Sequence, residues 1–477
     1  MSDLTFFWHD YETFGRVPRR DRPSQFAGVR TDAELNEIGA PLMQYCRPAP
    51  DFLPDPEACL LTGITPQQCL EHGVAEHVFA ATIERQLGAP GTVGVGYNSI
   101  RFDDEVTRFL FWRNLLDPYA REWQNDCGRW DLLDVVRCTW ALRPEGIEWP
   151  SHDDGRPSFK LEHLTAANGL AHAAAHDALS DVRATIALAK LVKARQPPLW
   201  DFCLKLRSKH EVVKEMGVGK PFLHISGMYG TDRGCIAMVW PLAPHPSNKN
   251  EVIVWDLSAD PAELLTLGVD AIRQRMFSRS DALPEGVARL PIKTIHINKS
   301  PIVIGNLKTL GPEMAAKWGL DVPLALRHAE GLAKHANLLA GMWPAVFERP
   351  AREGAADVDE DLYGGFVGND DRRTLQNLRT LDGPQLAAKR PAFSDPRLDE
   401  LLFRYRARNF PETLDEAGQA QWLEHCKHRL HEGAGGGSTL HTYLEQVDAL
   451  GEDADERGQD ILGALVDYAT SIAPDHG

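Results

Sequence analysis

The feature that most constrains this chain is the alternation of strand-like runs and amphipathic helical patterns in its first 196 residues. The strand-like runs lie at 4–8, 26–32, 38–46 and 91–98, and the helical patterns at 77–87 and 177–195. Strands interleaved with helices predict an α/β layered domain. Pro197 and Pro198 stop the last helix, which places a domain boundary near residue 197.

The middle of the chain has a different pattern. Residues 197–350 contain β-rich runs separated by turn residues. They predict a mostly antiparallel, barrel-like β domain with helices inserted around 261–277 and 311–340. A chain of 477 residues also needs more than one hydrophobic core, so several domains are expected.

The end of the chain reads as helical. Residues 348–365 are interpreted as a polar linker, and the periodic patterns after it predict an α-helical C-terminal domain. The glycine-rich stretch at 433–438 is interpreted as a flexible connector within that domain. The predicted domains are therefore 1–196, 197–350 and 351–477.

The net charge of −17 argues at first against nucleic acid as a partner. The charge is uneven, however: residues 1–196 carry −8, residues 197–350 carry +3 and residues 351–477 carry −12. Because a local basic groove can coexist with an acidic average, the charge neither supports nor excludes a polyanionic ligand.

Several absences in the sequence bear on its compartment. No apolar run approaches the roughly 20 residues of a membrane span, and the N-terminus has no basic region typical of a signal peptide. The eight cysteines form no C-x-x-C pair, so they are expected to be reduced and not to ligate zinc. A cytoplasmic protein is expected. No P-loop sequence is present, so a P-loop NTPase is not supported.

The first strand-like run ends in a D-x-E pattern formed by Asp10 and Glu12. In an extended strand these side chains point the same way, about 7 Å apart along the chain. Two anions so placed repel each other unless a cation lies between them. Either they are solvated charges at the tip of a strand, or they hold a metal ion.

Two further patterns follow in the same domain. Asp103 follows Phe102 and opens a helical pattern, and His176 and Asp181 form an H-x4-D pattern at the start of another. Asp103 and its neighbour Asp104 could each simply cap a helix, and His176 could be an ordinary surface histidine. The ordered occurrence of all three patterns in one α/β domain instead indicates a shared site.

Phosphodiester hydrolysis explains why such residue types occur together. Two divalent ions about 3.5–4 Å apart can activate the attacking water and stabilise both the phosphate and the leaving oxygen. Hard cations such as Mg²⁺ prefer carboxylate oxygens. A histidine of ordinary pKa, about 6.5, can accept the proton of the attacking water near neutral pH.

These patterns, together with the strings at 8–15, 96–108 and 176–193, resemble the DEDDh 3′→5′ exonucleases. Strings over the rest of the chain are similar to the bacterial members of that family that degrade single-stranded DNA. The resemblance implies an RNase H-like exonuclease domain, an SH3-like β-barrel domain and a helical C-terminal domain. It also implies a monomer that releases 5′-mononucleotides with two Mg²⁺ ions, for which Mn²⁺ can substitute. The implied metal ligands are Asp10, Glu12, Asp103 and Asp181, and the implied general base is His176.

The resemblance also implies contacts with single-stranded DNA. The matching positions are Arg108, Tyr119, Trp123, Arg137, Lys160 and Lys299. Aromatic rings stack on bases and cations follow the backbone, whereas the alternative for each residue is ordinary packing or a solvated charge. Two positions depart from the family pattern: Ser99 stands where many members have asparagine, and Lys160 stands where relatives have arginine, which loses the bidentate fork.

The resemblance implies a protein partner as well, the acidic and hydrophobic C-terminal tail of single-stranded-DNA-binding protein. Arg143 could belong to the pocket for that tail. Two alternatives stay open: a DEDDh exonuclease that acts on RNA or in proofreading, and a catalytically silent repair scaffold that binds single-stranded DNA.

Overall fold

The computed structural model describes residues 4–171, 177–348 and 356–474. The described residues form ten strands: β1 Thr5–Thr13, β2 Pro23–Thr31, β3 Leu42–Tyr45, β4 Thr92–Gly96, β5 Gly128–Asp131, β6 Phe222–Ile225, β7 Ile236–Pro244, β8 Glu251–Asp256, β9 Ile292–His296 and β10 Ile302–Ile304.

The helices before the C-terminal region are α1 Pro56–Thr62, α2 Pro66–His72, α3 Glu76–Leu87, α4 Asp103–Arg113, α5 Leu132–Leu142, α6 Leu161–Ala167, α7 Ala178–Arg195, α8 Pro197–Lys205, α9 Lys209–Met216, α10 Val269–Phe277, α11 Pro312–Lys317, α12 Val322–Ala340 and α13 Trp343–Val346. The C-terminal helices are α14 Asn369–Leu378, α15 Gly383–Ala387, α16 Arg397–Asn409, α17 Glu416–Glu432, α18 Leu440–Gly451 and α19 Glu456–Ile472. No helix among the described residues is long and apolar enough to cross a membrane.

The chain divides into two compact units. The first contains the described residues of Met1–Gly128, His172–Ala184 and Glu353–Gly477, and the second those of Arg129–Ala171 and Thr185–Arg352. The C-terminal helices therefore belong to the same unit as the first four strands.

The sheet of the first unit is built around β1. Strand β1 pairs with β2 in antiparallel and with β4 in parallel orientation, and β3 pairs with the outer edge of β2. One face of this sheet packs against α3 and α4 through a core that includes Phe7, Tyr11, Phe26, Phe79 and Leu110. The alternation of β1 side chains leaves Asp10 and Glu12 on the opposite face.

Two further cores join the C-terminal helices to this unit. Trp112 of α4 lies in a cluster with leucines of α14 and α16, and its indole nitrogen donates to the carbonyl of Val358 at 2.8 Å. Phe14 and Cys59 lie in another cluster with Tyr443 and Leu465 of α18 and α19.

The interpretation of 348–365 as a polar linker is wrong for its described second half. Val358 and Leu362 are buried in the hydrophobic cluster around Trp112, and Asp359 is only 2% exposed. Asp359 belongs to a buried set of ion pairs, here named the arginine–aspartate cluster, whose members are Arg22, Asp51, Asp359, Arg404 and Arg408. The sequence suggested a linker because aspartates are usually exposed, whereas Asp359 is buried and paired with arginines.

The glycine-rich stretch at 433–438, predicted as a connector within the C-terminal domain, joins α17 to α18 through a short turn. Ala434–Gly436 is a 3-10 turn, and Arg20 donates to the carbonyl of Gly436. Gly433, Gly435 and Gly436 have positive φ angles, which only glycine adopts readily.

The second unit contains an antiparallel five-stranded sheet with the order β10-β6-β7-β8-β9. Helices α10, α11 and α12 match the insertions predicted around 261–277 and 311–340. Helix α11 ends at Trp318, whose indole nitrogen donates to the carbonyl of Ala141 at 2.9 Å. Trp318 also contacts Trp140, so aromatic packing joins this region to α5.

Candidate metal centre

Strand β1 carries the first two candidate ligands. Asp10 pairs with Ala27 and Glu12 with Gln25 on β2, so both carboxylates lie on one face of the sheet, as the D-x-E pattern predicts. The pairing register shifts immediately after Glu12. Such irregularities re-aim side chains next to functional sites.

The turn between β4 and α4 positions Asp103. Ser99 is buried, and its carbonyl accepts hydrogen bonds from the backbone nitrogens of Phe102 and Asp104 at 3.3 and 2.9 Å. The N-cap of α4 is Phe102, so neither aspartate caps the helix as the alternative interpretation had it. Instead, Asp103 Oδ1 accepts a hydrogen bond from the backbone nitrogen of Tyr11 at 3.2 Å, which holds this carboxylate against β1.

The Asp104 side chain points away from the carboxylates of β1, towards Arg121. Its Oδ1 accepts a hydrogen bond from Arg121 Nη2 at 2.6 Å, and both side chains are buried. Of the two neighbouring aspartates, Asp103 is therefore the one that faces the carboxylates of β1.

Helix α7 carries the remaining carboxylate. Asp181 lies in its first turn, and the Asp177 side chain accepts a hydrogen bond from the backbone nitrogen of Ser180 at 3.0 Å. One carboxylate oxygen each of Asp10, Glu12 and Asp181 lie within 4.8 Å of one another. His176 lies outside the described residues.

The four side chains Asp10, Glu12, Asp103 and Asp181 are here named the carboxylate cluster. Burial raises the pKa of Glu12 to about 8, and the negative charges of Asp181, Asp103 and Asp177 add to the shift. Burial also raises the pKa of Asp10 well above its ordinary value, and Asp103, Glu12 and Asp181 act in the same direction. Burial and mutual repulsion therefore disfavour the ionised forms of Asp10 and Glu12, and a bound cation would reverse this.

His9 precedes Asp10 but is not a proton acceptor for this site. It lies on the opposite face of β1, and burial together with the positive charge of Arg121 lowers its pKa to about 3. His9 is neutral near pH 7.

Three of the predicted DNA contacts lie in the first unit. Arg108 is buried and forms ion pairs with Glu105 and Glu122 at 2.7 Å, and its guanidinium lies 5.3 Å from the ring centroid of Tyr119. Trp123 is 66% exposed, which is unusual for a large indole ring. An exposed ring can stack on a base, whereas the paired guanidinium of Arg108 holds Tyr119 in place.

The other three lie in the second unit. Arg137 on α5 pairs with Asp134 at 2.8 Å and is half-buried. Lys160 is exposed before α6, 3.6 Å from Glu162. Lys299 lies in the turn between β9 and β10, where its backbone nitrogen donates to the carbonyl of His296.

Arg143 also lies in the second unit, at the C-terminal end of α5. It borders a cavity of about 230 Å³ whose other walls include Leu142, Phe202 and Ile304. The Arg143 guanidinium donates to the carbonyl of Thr309 at 3.4 Å. A cation at the edge of an apolar cavity suits a ligand that has both an acidic and a hydrophobic part.

Sequence reasoning missed Asp177. Its charge contributes to the raised pKa of Glu12, so it lies near the carboxylate cluster. The available signal was its position beside His176 in the H-x4-D pattern.

Carboxylates gathered from the central strand and from two helices of an α/β domain are typical of nucleases and phosphodiesterases that use divalent cations. The model of the Exonuclease family matches residues 7–189. Models of the Exonuclease I SH3-like domain and the Exonuclease I C-terminal domain match residues 207–349 and 356–472.

The chain is 48% identical to exodeoxyribonuclease I of Escherichia coli strain K12, with 98% of each chain covered. It therefore belongs to the exodeoxyribonuclease I family. A solved structure of exonuclease I from Methylocaldum szegediense is 48% identical with a TM-score of 0.93, covering 98% of this chain and 99% of that one. Escherichia coli exonuclease I in complex with a dA16 oligonucleotide is 45% identical with a TM-score of 0.94, covering 98% of this chain and all of that one.

Two other solved structures, the first of the Escherichia coli enzyme and the second of an exonuclease I, show what these proteins bind. One is a zinc-bound complex with single-stranded DNA, which is 45% identical to this chain with a TM-score of 0.92 over 99% of it. The other is a complex with SSB-Ct, which is 44% identical with a TM-score of 0.91 over 99% of it.

Proposed function

We propose that this protein degrades single-stranded DNA from the 3′ end, releases 5′-mononucleotides and acts in DNA repair and recombination. The observation that carries the proposal is the convergence of Asp10, Glu12 and Asp181, with Asp103 held beside them. Membership in the exodeoxyribonuclease I family supports the same activity.

The carboxylate cluster is proposed to hold two Mg²⁺ ions, with Mn²⁺ able to substitute. When bound, such ions activate water and stabilise the charge that develops on the phosphate and the leaving oxygen. Asp10, Glu12, Asp103 and Asp181 would supply the oxygen ligands. His176 is proposed as the general base because the H-x4-D pattern places it just before the helix that carries Asp181.

The single strand is proposed to contact Arg108, Tyr119, Trp123, Arg137, Lys160 and Lys299. The exposed ring of Trp123 and the exposed amine of Lys160 support stacking and backbone contact. The domain boundaries remain a proposal at 1–196, 197–350 and 351–477. A cytoplasmic location is also proposed, and the eight buried free cysteines support a reducing compartment.

Degradation of matched oligonucleotides tests the proposed activity and its polarity. A 5′-labelled single-stranded DNA should shorten stepwise with Mg²⁺ present, and a 3′-labelled strand should lose its label as a mononucleotide at once. A duplex of the same sequence should persist. Faster loss of a matched RNA would favour the alternative RNA substrate, and binding without any cleavage would favour the silent scaffold.

The C-terminal tail of single-stranded-DNA-binding protein is the proposed protein partner. The apolar cavity beside Arg143 supports this, because the cation can pair with an acidic tail while the cavity accepts hydrophobic side chains. A labelled tail peptide should bind the wild-type protein, and Arg143→Ala should weaken binding about 10-fold or more. Arg156→Ala removes an exposed arginine of the same unit and is the matched control. Equal losses in both variants would contradict the assigned pocket.

A further inference from the structure

Beneath the carboxylate cluster, on the other side of β1, lies a second buried set of charged and polar side chains. Arg121 is 1% exposed and Asp104 is 2% exposed, and they form the ion pair described above. The His9 ring lies near the Arg121 guanidinium: a methyl group in place of the Gly94 hydrogen would be 3.3 Å from Arg121 Nη1 and 3.5 Å from His9 Nε2. Gly94 on β4 thus leaves the space that these side chains occupy.

The acidic and aromatic side chains around Arg121 belong to residues next in sequence to the proposed metal ligands. Asp104 follows Asp103, and His9 precedes Asp10. The Tyr11 hydroxyl lies 3.0 Å from Thr107 Oγ1, and Thr107 Oγ1 donates to the carbonyl of Asp103 at 2.8 Å. The first turn of α4 is therefore fixed to β1 and to Arg121 from the side that faces away from the cluster.

Burying a charged pair is costly, so its presence directly behind the site needs a reason beyond packing. Two other nitrogens of Arg121, Nε and Nη1, have no hydrogen-bond partner among the described residues. A buried guanidinium that leaves some of its N–H groups without hydrogen bonds contributes little to the stability of the fold. It does restrict where Asp104, and with it the backbone of Asp103, can lie.

We propose that the Arg121–Asp104 ion pair is a positioning pair for the metal centre. It would hold the N-terminal turn of α4 so that the Asp103 carboxylate faces Asp10, Glu12 and Asp181. Neither residue touches the cation or the DNA. The inference rests on the proposed cation-binding function and identifies residues that set its geometry.

The test is to measure Mn²⁺ binding by calorimetry and by electron paramagnetic resonance. Asp104→Asn should raise the dissociation constant for Mn²⁺ by about 10–100-fold, the usual effect of losing an outer partner of a ligand. Nuclease assays on the same variant should show a lower kcat at fixed cation concentration with an unchanged KM for DNA.

The matched control is another buried ion pair on the same helix. Arg113, at the other end of α4, pairs with Glu76 at 3.1 Å. Glu76→Gln removes a comparable carboxylate, so it should lower stability while leaving the Mn²⁺ affinity within about 2-fold of wild type.

Asp104→Asn also removes a negative charge near the cation, which by itself weakens binding. The double variant Asp104→Asn with Arg121→Gln leaves the net charge unchanged and should still bind Mn²⁺ about 10-fold or more weakly. Wild-type affinity in the double variant would overturn the positioning role, and so would wild-type affinity in Asp104→Asn. If Asp104→Asn does not fold, Arg121→Lys replaces it, because lysine keeps the charge but lacks the planar guanidinium. Wild-type Mn²⁺ affinity in Arg121→Lys would then overturn the positioning role. Failure of the wild-type protein to bind Mn²⁺ would instead refute the proposed function.

Discussion

The first unit contains two buried groups of charges that are built in opposite ways. The carboxylate cluster brings acidic side chains together, and burial with the nearby negative charges raises the pKa of Glu12 to about 8. In the arginine–aspartate cluster, burial also acts to raise the pKa of Asp51, but Arg408, His425 and Arg22 hold it well below its ordinary value. Asp359 responds in the same way to Arg408, Arg22 and Arg404.

The difference separates a binding site from a structural contact. The paired charges of the arginine–aspartate cluster neutralise one another and fix the C-terminal helices against the sheet region of the first unit. Carboxylates crowded against one another make the protein less stable until a ligand supplies positive charge. Aspartates in the two clusters therefore have opposite effects on stability, and substitution of each by asparagine can tell them apart.

The largest effect is expected for Asp10→Asn in the carboxylate cluster. Loss of a proposed ligand should lower kcat by more than about 1,000-fold, because the cation contributes several kcal/mol to the transition state. The metal-free variant should be at least as stable as wild type at pH 8, since burial and the neighbouring carboxylates disfavour a charge at position 10. Single-turnover degradation and urea unfolding measure the two quantities. Asp453→Asn, at an exposed position between α18 and α19, is the control and should alter neither quantity.

Asp359→Asn should have the reverse profile. It leaves the buried guanidinium groups of Arg404 and Arg408 without a full partner, so the free energy of unfolding should fall by about 3–5 kcal/mol. Activity per folded molecule should stay near that of wild type. Urea unfolding followed by circular dichroism measures the loss, and a change below about 1 kcal/mol would show that the cluster is not structural.

In the metal-free protein, the two clusters should make the free energy of unfolding depend on pH in opposite directions. Folded Glu12 keeps its proton up to about pH 8, whereas the unfolded chain releases it near 4.5, so the free energy of unfolding should fall as pH rises between these values. The pKa values of Asp51 and Asp359 are lowered, so their contribution is present above about 3.8 and is lost as pH falls further. Unfolding at a series of pH values tests both limbs. Glu12→Gln should flatten the alkaline limb alone, and an unchanged slope in this variant would contradict the assignment.

The smallest effect is expected at the edge of the arginine–aspartate cluster. Glu400 pairs with Arg404 at 2.7 Å, but its side chain is 39% exposed. Solvent screens this pair, so Glu400→Gln should lower the free energy of unfolding by only about 0.2–1 kcal/mol. A loss as large as that of Asp359→Asn would mean that burial does not separate the two kinds of pair.

Part of the carboxylate cluster could be predicted from the sequence because the spacing of residues along a strand determines which face their side chains occupy. A period of two residues puts Asp10 and Glu12 on one face of β1, and the register with β2 confirms it. The α/β class of the first domain and the helical C-terminal region followed from periodicity in the same way. The individual roles assigned to the site residues and DNA contacts stay predictions.

The arginine–aspartate cluster was not accessible in this way. Its members come from the residue before β2, from a loop before α1, from the supposed linker and from α16, and no local spacing relates them. The pair of Asp104 and Arg121 was missed for a similar reason, because Arg121 lies in a short 3-10 turn without a periodic pattern. Long-range pairing of charges depends on the fold as a whole.

Thermal unfolding at pH 8 with increasing MgCl₂ most directly tests whether the carboxylate cluster is a cation site. The wild-type protein should be stabilised progressively as the ion relieves the repulsion, by RT ln(1 + [Mg²⁺]/Kd). Asp10→Asn should lose most of this stabilisation, while Asp359→Asn, although less stable at the start, should keep all of it. Equal stabilisation of wild type and Asp10→Asn by Mg²⁺ would contradict the assignment of these carboxylates as its ligands.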